Sequence, residues 1–262
     1  FSCYTFVMKK GKKIIVANWK MNPPSAAEAR VLFAKERRGG ARLERVETVI
    51  CPPFPYLGLF AHARTGRVSL GAQDVFWLNS ARATGEVSPE ILADLDVSFV
   101  IVGHSERRAL GETDERVAQK AKAALAEGLA PIVCIGEKER DEDGKYFGIL
   151  KNQIKSSLAG LRRADFRECV IAYEPLWAIG KSAREAMTPR DIRETSIFIR
   201  KVLADMYDAT TAEQPALLYG GSAEASNTAA ILSEGGVAGL LVGHASLDAA
   251  EFISMLKTAN AI

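Results

Sequence analysis

The stretch "IIVANWKMNPPS", residues 14–25, decides between two folds. It opens as an apolar, β-branched run and closes in a short polar segment with Pro23 and Pro24 before Ser25. An open doubly wound sheet that holds a dinucleotide would turn here through G-x-G-x-x-G, because glycines let the backbone approach a pyrophosphate. No glycine stands between Ile14 and Ser25, so that fold is set aside. The run instead brings Asn18 and Lys20 to its end, on one face if side chains alternate along a strand.

Seven further runs resemble the first: "TVICP" (48–52), "VSLGAQ" (68–73), "FVIVG" (99–103), "PIVCIG" (131–136), "CVIAYE" (169–174), "ALLYGG" (216–221) and "GLLVG" (239–243). None alternates polar with apolar residues, which predicts strands covered on both faces, as in a parallel sheet wrapped by helices. Helix starts fall between them. Ser25-Ala26-Ala27-Glu28 reads as a capping box, and Ser88-Pro89 and Thr188-Pro189 place a cap before a proline at the first helical position. Eight such units favour an α/β fold in which the sheet closes into a (β/α)₈ barrel. No linker or low-complexity tract divides the chain, so one domain is expected over 13–262. Residues 1–12 are expected to be a flexible N-terminal extension, with Met8 as a natural start.

Composition narrows the function. The 262 residues are 48% hydrophobic and 25% charged, with 34 basic and 32 acidic side chains and a net charge of +2. A near-balanced charge without basic runs among aromatics speaks against nucleic acid, and Lys9–Lys13 reads as a solvated cluster. Four cysteines, at 3, 51, 134 and 169, show no paired spacing, which suits a reducing compartment and a cytoplasmic protein. No apolar stretch is long enough to span a bilayer, so no membrane partner is expected.

Chemistry on such a barrel gathers where the strands end. The ends deliver Asn18 and Lys20, His104, Ser105 and Glu106, Cys134 and Glu137, Glu174, Gly220, Gly221 and Ser222, and Gly243 and His244. Each has a plain alternative: a solvated lysine, a histidine that caps a helix, a carboxylate at a strand terminus, glycines in ordinary turns. Together the last two turns fit a cradle of backbone N–H groups for an anion. His62 in "AHART" has no supporting context and reads as surface.

Eight blocks, "ANWKMN" (17–22), "GAQ" (71–73), "TGEVSP" (84–89), "VGHSERR" (102–108), "PIVCIGE" (131–137), "AYEPLWAIG" (172–180), "YGGS" (219–222) and "LVGHASL" (241–247), resemble the triosephosphate isomerase family in its own order. The resemblance implies a TIM barrel acting as an isomerase of dihydroxyacetone phosphate and glyceraldehyde 3-phosphate in glycolysis and gluconeogenesis, with no metal and no organic cofactor. It implies that Glu174 shuttles a proton between adjacent carbons. His104 would polarise the carbonyl as a neutral imidazole; this family is itself a standard example of that tuning. Lys20, helped by Asn18, would stabilise the enediolate, with Ser105, Glu106 and Cys134 in support. Backbone N–H groups of Gly180, Ser222, Gly243 and His244 would grip the phosphate. The loop behind Glu174 would be a lid that excludes water. Two alternatives stay open: an isomerase of a four-carbon ketose phosphate on the same scaffold, and an inactive sugar-phosphate-binding relative.

Three departures accompany the resemblance. "KSAREAM" (181–187) replaces the usual lid tip and is about two residues longer. His244 stands at a usual glycine position, which would be strained if φ there were positive; its side chain is expected to face outward, the alternative being a donor near the phosphate. Asp74 replaces a usual asparagine near the 80–86 loop, through which a homodimer is expected.

Overall fold

The computed structural model describes residues 12–62, 68–79, 82–141, 143–180 and 187–262. Eight strands, β1 (Lys13–Asn18), β2 (Val46–Cys51), β3 (Val68–Ala72), β4 (Val97–Val102), β5 (Ala130–Ile135), β6 (Val170–Tyr173), β7 (Ala216–Tyr219) and β8 (Gly239–Val242), form a closed barrel in sequence order. Every neighbouring pair is parallel, and β1 closes on β8 with Val16 opposite Leu241.

The uninterrupted apolar runs are explained by two cores that share each strand. Ile14, Val16, Val49, Phe99, Ile101, Ile132 and Leu218 fill the barrel interior. Their neighbours Ile15, Ala17, Ile50, Val100, Val133 and Leu217 face the helices. Alternation along a strand puts successive residues in different cores, and both cores are buried.

The helices begin where their caps predict. Ser25 Oγ accepts the Glu28 N–H ahead of helix Ala26–Gly40 and donates to the Glu28 carboxylate at 2.7 Å. Ser88 Oγ and Thr188 Oγ1 likewise accept the Ile91 and Asp191 N–H groups ahead of helices Pro89–Asp94 and Pro189–Met206. The last of these buries Ile192, Thr195, Ser196, Ile199, Val202 and Leu203. That spacing is one helical face, and each large aliphatic on it contributes about 1.5–3 kcal/mol. Among the described residues no helix is long and apolar enough to cross a membrane. Residues 1–11 of the expected extension and 181–186 of the expected lid lie outside the described residues.

Candidate active site

β1 turns out of the barrel at Asn18, which is buried. Lys20 lies beyond the strand with φ +54, so it reaches the rim through a left-handed turn and not by strand alternation. That uncommon conformation is held from two sides: Lys20 N–H donates to Asn18 Oδ1 at 3.1 Å, and Lys20 C=O accepts Gln73 Nε2 at 2.8 Å. Lys20 Nζ meets Glu106 Oε1 at 2.6 Å, with 58% of the Glu106 side chain exposed. A pair so exposed contributes about 1 kcal/mol or less, so Glu106 holds the amine only weakly.

β4 hands over to His104 through Gly103, at φ +71. A Cβ there would come within 2.9 Å of the Arg108 guanidinium and of Val117, which explains the glycine. The Gly103 peptide is clamped: its N–H donates to Glu112 Oε2 at 3.0 Å and its C=O accepts Arg108 Nε at 2.6 Å. His104 then caps the short helix Ser105–Ala109, with Nδ1 accepting the Glu106 N–H at 3.2 Å. A ring nitrogen that accepts carries no proton, so the neutral imidazole has its hydrogen on Nε2. Nε2 lies 3.0 Å from Glu174 Oε1 and donates to it.

Glu174 follows β6 and is 2% exposed. Its N–H donates to Ile135 C=O at 2.7 Å, and its Oε2 accepts the Ser105 N–H at 3.1 Å. Both carboxylate oxygens are thus held at the end of β4. Burial, the largest influence on His104, disfavours its charged form; the Glu174 carboxylate and, less strongly, Glu106 outweigh it and raise the pKa above the ordinary histidine value. That rise belongs to the paired arrangement. With the Glu174 carboxylate turned away, burial and the backbone donor on Nδ1 both favour neutral imidazole.

Cys134 lies in the barrel interior, its thiol held far above the ordinary value by burial and then by the nearby Glu174 charge. A thiol in that state is a packing group, not a nucleophile.

At the opposite side of the opening, Ser222 Oγ donates to Ala178 C=O at 2.9 Å, tying the turn after β7 to the segment behind Glu174. Gly243 follows β8, and the turn His244–Leu247 closes on it through Ser246 N–H and Oγ, 2.9 and 2.6 Å from Gly243 C=O. His244 is not among the positive-φ residues, so the histidine imposes no backbone strain. Asn18, Lys20, His104, Glu174, Gly180, Ser222, Gly243 and His244 all line one cavity of about 410 Å³. Ser105 and Glu106 touch it through Glu174 and Lys20.

Two positioning groups were given no role by the sequence reading, although Glu137 stood among the strand-end residues. Glu137 is fully buried after β5; its Oε1 accepts both Tyr173 Oη and Trp177 Nε1 at 2.8 Å, and its C=O accepts the Leu176 N–H at 3.0 Å. It anchors the chain on either side of Glu174, and the acid closing "PIVCIGE" was the available signal. Gln73 bridges Lys20 C=O and Cys51 C=O. Asp74 takes part in a buried ion cluster with Lys120 and Arg107, and Lys120 also pairs with Glu112. His62 is exposed and pairs with Asp96 at 2.6 Å, outside the cavity. Among the described residues no group of three or more His, Cys, Asp and Glu is placed to hold a metal ion.

The sequence profile of triosephosphate isomerase matches residues 13–259. The chain belongs to the triosephosphate isomerase family. A triosephosphate isomerase from Dehalococcoides mccartyi is 42% identical over 252 residues, covering 95% of this chain and 97% of the relative. One from Citrifermentans bemidjiense is 41% identical over 94% of this chain and 98% of its own length. A third, from Dictyoglomus thermophilum, is 39% identical over 94% and 99%. The match to the triosephosphate isomerases therefore runs through all eight strands and every rim segment described above.

Proposed function

We propose that the chain interconverts dihydroxyacetone phosphate and glyceraldehyde 3-phosphate through an enediolate. The observation that supports this best is the Glu174 carboxylate, buried and held at 3.0 Å from His104 Nε2 in the cavity that Lys20 also lines.

Glu174 is the base. Its carboxylate turns from the Ser105 N–H and the His104 ring toward the substrate, takes a proton from the carbon beside the carbonyl and returns it to the neighbouring carbon. That turn frees the Nε2–H to donate to the carbonyl oxygen, and neutral imidazole is then the favoured form. A donor whose acidity is close to that of the enediol moves protons between the two oxygens with little loss in either direction. Lys20, released from Glu106, places a cation against the developing oxyanion, and Asn18 fixes the turn that carries it. Backbone N–H groups of Gly180, Ser222, Gly243 and His244 hold the phosphate. Water must be kept from the enediolate, which would otherwise expel phosphate.

A homodimer through the 80–86 loop completes the proposal. Arg82, Thr84, Gly85 and Glu86 are exposed, and Met21, one residue beyond Lys20, is 92% exposed on the chain alone, the arrangement expected where a partner covers the rim. Three buried free cysteines suit a cytoplasmic setting.

A coupled isomerisation assay on purified protein tests the substrate, offering glyceraldehyde 3-phosphate and a four-carbon ketose phosphate in turn. The proposal expects a large kcat/KM margin for the triose phosphate. Preference for the tetrulose phosphate, or no turnover of either, rejects it.

A further inference from the structure

Arg108 stands four residues beyond His104 in the short helix Ser105–Ala109, and its side chain is only 16% exposed. Its guanidinium reaches back to the strand ends. Nε donates to Gly103 C=O at 2.6 Å, and Nη2 donates to Cys134 C=O at 3.1 Å and to Ser157 Oγ at 3.0 Å. Nη1 pairs with Asp114 Oδ1, which also accepts Ser157 Oγ at 3.0 Å. The Arg108 backbone N–H donates to His104 C=O at 3.0 Å.

The two bridged carbonyls stand at a particular place in the barrel. The last paired residues of β4 and β5 are Val102 and Val133. Gly103 and Cys134 come next along each chain, where the ladder has ended, and the guanidinium spans them in its stead. Gly103 leads directly into His104. Cys134 precedes Ile135, whose C=O accepts the Glu174 N–H at 2.7 Å. One residue further on, Gly136 N–H donates to Gln153 Oε1 at 2.7 Å. The carbonyl that carries Glu174 is therefore flanked by two held peptides.

We propose that Arg108 is a positioning residue for the proton shuttle: by tying the end of β4 to the end of β5 it fixes His104 against Glu174. The inference rests on the function proposed above and names the group that sets the spacing of the acid and the imidazole in that same site. A guanidinium is planar and donates in fixed directions, so one side chain satisfies two carbonyls, a hydroxyl and a carboxylate at once. Asp114 balances its buried charge. Lysine offers a compact charge on a flexible stem and cannot hold both carbonyls in that geometry. The phosphate-binding turns after β7 and β8 lie across the opening, so loss of the tie should spare binding and harm the chemical step.

The experiment reads the acid–imidazole pair itself. The chain has three histidines, His62, His104 and His244, so NMR of the full chain, isotope-labelled in histidine, gives few ring signals, and His104→Gln assigns the one wanted. In the unaltered protein the His104 Nε2–H, donated to Glu174 at 3.0 Å, is expected to be protected from exchange with water. In Arg108→Lys that signal should shift or vanish. Its kcat, corrected for the folded fraction by circular dichroism, should fall roughly ten- to 10²-fold, the loss that displacements approaching 1 Å cause, with KM within about twofold. Phe166→Leu controls for stability alone: Phe166 is fully buried in the turn ahead of β6, at the far end of that strand from Glu174. It should lower the urea midpoint and leave the ring signal and kcat unchanged. If Arg108→Lys does not fold, Asp114→Asn decides, since it keeps the shape of the guanidinium's anchor and removes its charge; a displaced ring signal with a several-fold fall in kcat is expected. A folded Arg108→Lys, or Asp114→Asn in its place, with the ring signal and kcat of the unaltered protein would overturn the inference. So would a matching loss of signal and kcat in Phe166→Leu. Failure of the functional proposal shows separately, as no triose phosphate turnover by the unaltered protein, while the ring signal still reports whether Arg108 sets the pair.

Discussion

Gly220→Ala tests how finely the fold sets the position of Glu174. A Cβ added at Gly220 would lie 2.9 Å from Glu174 Cγ, and 3.4 Å from the Tyr173 carbonyl oxygen. Ordinary van der Waals contact begins at 3.4 Å, so Cγ must retreat by about 0.5 Å while the backbone contact is tolerated. The retreat cannot be shared easily. The carboxylate is pinned by His104 Nε2 and Ser105 N–H, and the Gly220 N–H is tied to Tyr173 C=O at 2.8 Å. A misplacement of 1 Å costs about 10²-fold in rate, so half of that predicts a fall in kcat of roughly tenfold. The same crowding costs about 1–3 kcal/mol of stability at most, and KM should change little because the phosphate end is untouched. Steady-state kinetics with a coupled assay and urea unfolding measure the two effects. Gly148→Ala, on helix Tyr146–Ser157 with nothing within 4 Å of its added Cβ, is the control and should leave kcat unchanged while stabilising by up to about 1 kcal/mol. Full kcat in Gly220→Ala would refute the claim that Glu174 is held to sub-ångström tolerance.

Glu36 gives a prediction about stability. It is fully buried on helix Ala26–Gly40, its Oε2 accepts Trp19 Nε1 at 3.2 Å, and its Oε1 has no partner. Burial, slightly offset by the Trp19 hydrogen bond, raises its pKa well above the ordinary 4.5. The native state therefore holds a proton that the unfolded state releases, and stability falls as pH rises from about 4.5 through the folded-state pKa. Glu36→Gln keeps an acceptor for Trp19 and should flatten that fall, which amounts to about 1.4 kcal/mol per pH unit inside the window; equal slopes in urea titrations at several pH values would contradict it. For Glu174→Asp, the carboxylate draws back by one methylene from the carbon it must deprotonate. We expect kcat to drop by at least about 10²-fold with KM nearly unchanged, and an equal collapse in binding would show the role is misassigned.

The barrel was legible in sequence because a strand buried on both faces has no polar residues to blur it. All eight runs became strands, and the three cap sites began helices. The site was legible wherever a side chain leaves the end of a strand, as Asn18 and Glu174 do. It was less so where the backbone turns unusually. Alternation brought Lys20 to the right rim, but the observed route is a left-handed residue whose conformation depends on Asn18 and Gln73, distant in sequence from each other. Glu137 was noted at a strand end but given no role for a similar reason: its partners, Tyr173 and Trp177, come from the next strand unit. Asp74 stood out only as an unusual residue near a loop; its partners Lys120 and Arg107 come from two later helical segments.

Solvent hydrogen exchange bears most directly on the proton shuttle. Glyceraldehyde 3-phosphate is to be isomerised in D₂O and the dihydroxyacetone phosphate read by NMR. A carboxylate that lifts a proton and exchanges it with solvent before returning it leaves deuterium on the carbon that gains hydrogen. Product with no deuterium there, together with undiminished turnover by Glu174→Gln, would mean that hydrogen passes between the two carbons without the carboxylate, and Glu174 would lose its place as the base.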